Sequence, residues 1–114
     1  LIRRRKMTDR ELLELAAKAA GHITRSDNLN VWIVETDGSP IARWDPLADD
    51  AQAMRLAVKL ALTIAIQHHE TEVFTWEGEC LSSEHVFVHP DHSYKATRRA
   101  VVRAAAEIGK TRSD

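Results

Sequence analysis

Apolar residues recur every three to four positions after Leu12, which is the spacing of one face of an α-helix. Thr8 and Glu11 have the spacing of a capping box, in which each side chain accepts a backbone N–H of the first turn. Met7 and Leu12 are placed to form a hydrophobic staple across the same helix start. Gly21 is a typical helix end. The pattern therefore predicts a first helix from Thr8 to the residue before Gly21.

The pattern after Gly21 changes from helical spacing to strand spacing. Residues 22–29 are polar, which predicts a loop. Val31–Val34 and Ile41–Trp44 are rich in β-branched and aromatic residues, which predicts two strands. Residues 37–40 have the sequence Asp-Gly-Ser-Pro, which is typical of a turn. We therefore predict a β-hairpin after the first helix.

A second helix is predicted to begin at Asp49 or Asp50, whose carboxylates suit a helix N-terminus. Together with Asp45 these aspartates can in principle hold a divalent cation, but capping is the simpler role. No Gly or Pro interrupts residues 49–69, so composition has to indicate where the helix ends. Apolar and smaller residues alternate from Leu62 onward, with β-branched residues among them. This favours a strand that starts near Leu62 over one long helix.

Two more strands are predicted over Glu72–Trp76 and His85–Val88, around a turn at Glu77 and Gly78. Pro90 then marks the start of a last helix, with Asp91 or Ser93 as its cap.

The last helix is predicted to end at Gly109. Its helical spacing places Arg98, Arg99 and Arg103 on an outward face. The core face of this helix is predicted to consist of Val101, Ala104, Ala105 and Ile108. The predicted order is αββαβββα. This order indicates an α+β protein with a layered helix/sheet/helix (ABA) sandwich and a mainly antiparallel sheet.

The composition is that of one globular domain. The chain has 114 residues, of which 44% are hydrophobic and 29% charged, which suffices for one buried core. No segment approaches the roughly 18 apolar residues of a membrane-spanning helix. The single cysteine, Cys80, allows no internal disulfide, and no apolar run follows the basic start as a signal peptide requires. We therefore expect a protein of the reducing cytoplasm, in which Cys80 is a small residue at a strand end.

Residues 1–6 differ from the rest of the chain, because their basic residues directly precede Met7, where the helix-start signal begins. Consecutive arginines can be encoded by AGG AGG, the purine-rich ribosome-binding sequence of bacterial messages. We therefore expect residues 1–6 to be a translated leader or a start assigned too early. Residues 7–110 would then form a single domain and residues 111–114 a C-terminal tail.

The basic residues of that segment decide the net charge. The whole chain has 16 Lys and Arg against 17 Asp and Glu, a net charge of −1. Without residues 1–6 the balance is 12 against 17, a net charge of −5. Because phosphate binding requires a positive surface, this balance argues against general nucleic-acid binding.

Three runs resemble one family. They are Met7–Gly21 (MTDRELLELAAKAAG), then Trp44–Asp50 (WDPLADD) with Arg55–Leu60 (RLAVKL), and finally Ala96–Gly109 (ATRRAVVRAAAEIG). In this order they resemble the bacteriophage ABA-sandwich domain, a family of small proteins of tailed phages and prophages. The resemblance implies helix, sheet, helix layering, a phage or prophage origin and a start at Met-Thr-Asp. It implies no catalytic residue and no ligand.

Histidine is the first candidate for chemistry. Imidazole binds zinc or nickel, and His89 and His92 can converge across Pro90. His85 and His89, on an extended strand, lie about 13 Å apart, which is too far to share one ion. No standard ligand spacing is present, so His89 and His92 are weak metal candidates. Solvated strand ends are the simpler interpretation, and we expect no cofactor.

Arginine is the second candidate. Arg99 and Arg103 are one helical turn apart, with Arg98 and Lys95 nearby, and can hold two phosphates or an acidic partner protein. The simpler alternative is a solvated helix face on which Glu107 pairs with Arg103.

Tryptophan is the third candidate. Trp32, Trp44 and Trp76 lie on predicted strands, where large aromatic residues usually cover the sheet. If the strands alternate regularly, Trp32 lies on the face opposite Val31 and Ile33 and is placed at a partner-binding surface.

No catalytic motif is present, and we therefore expect a small, non-enzymatic phage accessory protein that binds a host or phage protein in the bacterial cytoplasm. The candidate binding surface consists of Arg98, Arg99, Arg103 and Trp32. One alternative is a nucleic-acid-associated protein that uses the arginine face. Another is a small metal-dependent enzyme that uses the histidines.

Overall fold

Three helices and six strands form the described part of the chain. In the computed structural model this part comprises residues 7–67, 69–85 and 90–111, with the side chains of His85 and of residues 90–92 excepted. In chain order the elements are α1 (Asp9–Ala19), β1 (Ile23–Ser26), β2 (Val31–Val34), β3 (Pro40–Arg43), α2 (Asp50–Lys59), β4 (Thr63–Ile66), β5 (Glu70–Phe74), β6 (Cys80–His85) and α3 (Pro90–Thr111).

The strands form two three-stranded antiparallel sheets. The first sheet has the order β1-β2-β3 and the second sheet the order β4-β5-β6. The predicted α+β class with antiparallel pairing is confirmed. The described strands are divided between two sheets, whereas the sequence predicted one.

The first strand corrects the prediction of a loop over residues 22–29. Ile23–Ser26 pairs along its whole length with β2, so the order is αβββαβββα rather than αββαβββα. The hydroxyl of Ser26 donates to Glu14 Oε2 of α1 at 2.6 Å, so a polar contact rather than an apolar one covers this end of the strand. A short edge strand held in this way carries little hydrophobic pattern, which is why the sequence indicated a loop.

The predicted starts of the first two helices are confirmed. The N–H of Glu11 donates to Thr8 Oγ1 at 3.2 Å, and the N–H of Thr8 donates to Glu11 Oε1 at 3.1 Å, which completes the capping box. The half-buried Met7 packs against the core cluster that contains Leu12, as the staple requires. Asp49 caps α2 by accepting the N–H of Gln52 at 3.0 Å.

The predicted change from helix to strand near Leu62 is also confirmed. Helix α2 ends at Lys59 with Leu60 as its C-cap, and Ala61 has a φ of 53°, a left-handed conformation that turns the chain into β4. The next two strands lie earlier than predicted, at Glu70–Phe74 and Cys80–His85, because Trp76 belongs to the turn between them. Of the strand predicted over 85–88, residues 86–88 lie outside the described part.

The chain contains an internal repeat that the sequence pattern did not reveal. Strands β1 and β4 begin at residues 23 and 63, β3 and β6 at 40 and 80, and helices α2 and α3 at 50 and 90. Gly21 and Ala61 share a positive φ after their helices, and Gly38 and Gly78 share one in the hairpin turns. The β-bulges also correspond, at Ile33/Val34 and Val73/Phe74. We define two units. The first unit consists of α1, the first sheet and α2, and the second unit consists of α2, the second sheet and α3.

Helix α3 joins the two units because it packs along α1 and covers one face of the second sheet. Its fully buried residues include Ala100, Val101, Val102, Ala104, Ala105 and Ala106. The prediction that Gly109 ends this helix is wrong, since α3 continues to Thr111. An added Cβ at Gly109 would lie 2.1 Å from the backbone oxygen of Leu15, so this glycine permits close contact between α3 and α1.

Candidate functional site

The arginines of α3 that the sequence singled out are paired within the fold. Arg98 NH1 lies 2.7 Å from Asp50 Oδ1, and its Nε donates to the backbone oxygen of Leu47 at 2.8 Å. Arg99 NH1 lies 3.1 Å from Asp9 Oδ1. These bonds tie α3 to the start of α2 and to the start of α1.

Arg103 and Glu84 form the third pair. Arg103 NH1 lies 2.7 Å from Glu84 Oε1, and the Nε of Arg99 lies 3.6 Å from the same oxygen. Glu107 lies 3.0 Å from Lys110 Nζ, so it pairs with Lys110 and not with Arg103. Because each of the three guanidinium groups has a carboxylate of its own, the arginine face differs from the unpaired positive stripe that phosphate binding favours.

Trp32 lies in the middle strand of the first sheet, opposite Arg25 on one side and Arg43 on the other, so the three side chains share one face. It is half-buried, and its Nε1 donates to Asp27 Oδ2 at 3.0 Å. This hydrogen bond is the largest cause that lowers the pKa of the Asp27 carboxyl below its ordinary value. The most exposed tryptophan is Trp76, which is 75% accessible in the turn between β5 and β6.

The histidine candidates fall largely outside the described residues. His68 and His89 lie outside them altogether, and His92 is described only as backbone within α3. Among the side chains that are described, no group of three or more His, Cys, Asp or Glu residues is close enough to hold a metal ion.

The aspartates near α2 have structural roles. Asp49 is the helix cap, Asp50 pairs with Arg98, and Asp45 Oδ2 lies 3.4 Å from Arg43 NH2. The simpler interpretation of these residues, capping, is confirmed for Asp49.

An apolar groove lies between α2, β4 and α3. It encloses about 340 Å³ and is lined by Met54 of α2, Ile64 and Ile66 of β4, and Tyr94 of α3, above the buried Val101. Met54 is 59% exposed, Ile66 65% and Tyr94 64%. We call this surface the apolar groove.

The polar groups at the apolar groove are few and already bonded. The ion pair between Asp50 and Arg98 lies at its lining, and Thr97 shares a hydrogen bond of 3.2 Å with Thr71. Strand β4 is an edge strand of the second sheet, so one side of its backbone has no strand partner among the described strands. The groove therefore offers apolar contact and backbone hydrogen bonding at one place.

The apolar groove was not predicted from the sequence because its residues belong to three elements. Ile64 and Ile66 have the alternating spacing of one buried strand face. In the structure, however, Ile64 is half-buried and Ile66 is exposed. The signal that was available is Met54, which follows Asp50 by four residues and so lies on the exposed side of α2.

Comparison of the chain with known proteins gave no match among family models, curated proteins or solved structures. The resemblance to the bacteriophage ABA-sandwich domain therefore stays a prediction. None of the helices in the described ranges has the length and apolar character needed to cross a lipid bilayer.

Proposed function

We propose that this protein is a non-enzymatic binding module that recognises another protein through the apolar groove. The observation that supports the proposal is the exposure of Met54, Ile66 and Tyr94 around one groove. Exposed apolar side chains that line one surface are typical of protein-binding sites. The resemblance to the phage family supports a phage or prophage accessory protein whose partner is a host or phage protein in the bacterial cytoplasm.

The occupant that fits the apolar groove best is an extended segment of the partner that carries apolar side chains. Such a segment can add to the free edge of β4 through main-chain hydrogen bonds while its side chains contact Met54 and Tyr94. The edge of β4 favours this mode over a docked helix, whose backbone groups are already paired within the helix.

The nucleic-acid alternative has less support. Arg98, Arg99 and Arg103 are already paired with carboxylates, those of Asp50, Asp9 and Glu84. The negative charge of these carboxylates repels a phosphate and so lowers the free energy that phosphate binding would gain. The metal-dependent enzyme rests on His89 and His92, whose side chains lie outside the described part.

Capture from a bacterial lysate tests the proposal. Met54→Asp places a charge in the apolar groove, whereas Ile41→Asp places one on the first sheet, at a side chain that is 60% exposed. We expect the unaltered protein and Ile41→Asp to enrich the same partner. Met54→Asp should bind this partner at least about tenfold more weakly, which corresponds to about 1.4 kcal/mol. If both variants lose the partner equally, or no host or phage protein is enriched, the proposal is wrong.

A further inference from the structure

A second cavity lies on the other side of α2, between that helix and the first sheet. It encloses about 350 Å³. Ile33 and Ala42 line it from the sheet, Leu56 lines it from α2, and Trp44 and His22 also belong to its lining. The two rings meet edge to face, with centroids 5.2 Å apart.

The charges at this cavity are all positive, and we call it the cationic cleft. Arg55 and Lys59 of α2 line it, and both are exposed. Within the described residues neither has a hydrogen bond or an ion pair, and the lining contains no Asp or Glu. Desolvation by burial, and then the charge of Lys59, lower the pKa of His22 below its ordinary value of 6.5. The cleft therefore has a positive potential that nothing in its lining balances.

The second unit shows what the same region looks like when it is closed. There α3 lies directly on the second sheet, where Ser82 Oγ donates to the backbone oxygen of Ala100 at 2.6 Å. Val73, the counterpart of Ile33 in the second unit, is fully buried, whereas Ile33 is only half-buried. The opening between α2 and the first sheet is therefore specific to the first unit.

The counterparts of the two cations are also basic, but one of them is neutralised. Lys59 corresponds to Arg99, which pairs with Glu84 of β6. The position that corresponds to Glu84 is Trp44, whose Nε1 donates to the backbone oxygen of Leu13 at 2.8 Å. The first unit thus keeps the cation and has an aromatic ring where the second unit has the carboxylate.

From this difference we infer that the cationic cleft binds a small organic anion, a carboxylate or a phosphate ester with an apolar or aromatic body. The anionic group replaces the missing carboxylate and is held by Lys59 and Arg55 through charge-assisted hydrogen bonds. The apolar body lies against Ile33, Leu56 and Trp44. A volume of about 350 Å³ is at the lower end of known ligand pockets, so the ligand is small.

The inference is independent of the proposed function, because the apolar groove and the cationic cleft use different residues of α2. The test follows the two-dimensional NMR spectrum of the full chain during titration with phenyl phosphate, benzoate and neutral benzyl alcohol. We expect saturable shifts at Ile33, Ala42 and the indole of Trp44 with at least one of the two anions. We also expect the bound anion to raise the pKa of His22, because a nearby negative charge favours the imidazolium.

Three variants assign the effect to the cationic cleft. Lys59→Gln removes one cation and should weaken anion binding at least about tenfold. Ala42→Glu places a carboxylate at an exposed position of the lining and should abolish binding. The matched controls are Arg25→Gln, which removes an exposed cation on the opposite face of the first sheet, and Ile41→Glu, which adds a charge at the neighbouring residue. Both controls should bind as the unaltered protein does.

Circular dichroism first establishes that each variant is folded. The inference is overturned if neither anion gives saturable shifts at the cleft, or if benzyl alcohol binds as tightly as the anions. It is also overturned if folded Lys59→Gln retains full affinity, or if Arg25→Gln loses as much affinity as Lys59→Gln. Preference for phenyl phosphate or for benzoate in an otherwise positive result identifies the anionic group.

Discussion

Gly109 is a residue at which α3 approaches α1 closely, because its missing side chain leaves room for the backbone of Leu15. Gly109→Ala would place a Cβ 2.1 Å from the oxygen of Leu15, so the two helices would have to separate. We expect a loss of at least about 2 kcal/mol in the free energy of unfolding, measured by urea denaturation. Lys110→Ala, at an exposed neighbour, should change it by less than about 0.5 kcal/mol. A Gly109→Ala protein as stable as the unaltered one would contradict this packing.

His22, which lines the cationic cleft, makes the stability of the protein depend on pH. Its pKa is lowered in the folded state by desolvation and by Lys59, so the unfolded chain binds the proton more readily. The stability that neutral His22 contributes is therefore present in full above its ordinary pKa of 6.5 and is lost as the pH falls from that value through the lowered pKa of the folded state.

The prediction is tested by comparing the unaltered protein with His22→Gln between about pH 5 and pH 8. As the pH falls, the free energy of unfolding of the unaltered protein should decrease more than that of His22→Gln. If the two proteins show the same pH dependence, the folded-state pKa of His22 is not lowered.

At the scale of elements, Glu84 is the carboxylate that connects β6 to α3. It is largely buried, with 20% of its side chain exposed, and it accepts from Arg103 and lies near Arg99. We expect Glu84→Gln to lower the free energy of unfolding by about 1–2 kcal/mol, because Arg103 loses its charged partner and Arg99 keeps only Asp9. Glu107→Gln, which affects only the exposed pair with Lys110, should cost less than about 0.5 kcal/mol. Equal effects in urea denaturation would show that Glu84 has no special role.

The elements that the sequence predicted well are those whose signals are local. The capping box at Thr8 and Glu11 and the cap at Asp49 depend on residues a few positions apart, and all are present in the structure. Strand β1 is held by its pairing with β2 and by the contact between Ser26 and Glu14. The continuation of α3 through Gly109 depends on contact with α1, which is distant from α3 in the sequence. Such contacts leave little local signal, so the sequence indicated a loop and a helix end.

At the scale of the whole molecule, the repeat explains why the candidate sites were harder to predict than the elements. The counterparts Trp44 and Glu84 differ in chemistry, so the shared architecture is visible only in the backbone. Of the predicted surface residues, Arg98, Arg99 and Arg103 are paired inside the fold, and Trp32 is half-buried. The open surfaces are instead formed between different elements. The sequence pattern of one chain does not show how far apart these elements lie in the fold.

Because α3 is buried against α1 and the second sheet, the two units should unfold together. Trp32 and Trp44 belong to the first unit, and the exposed Trp76 can be replaced in Trp76→Phe so that fluorescence reports that unit alone. We expect its urea midpoint to coincide with the midpoint from circular dichroism, which reports all helices. Two separate transitions would contradict the central position of α3.

The apolar groove is, in our proposal, the surface on which a partner protein lies, and a photoactivatable amino acid tests this contact directly. Placed at Met54 in living bacterial cells, it should yield a covalent adduct with one partner after illumination. The same group at Ile41, which is equally exposed on the first sheet, should yield none. Adducts at Ile41 but not at Met54, or at neither position, would contradict the proposal.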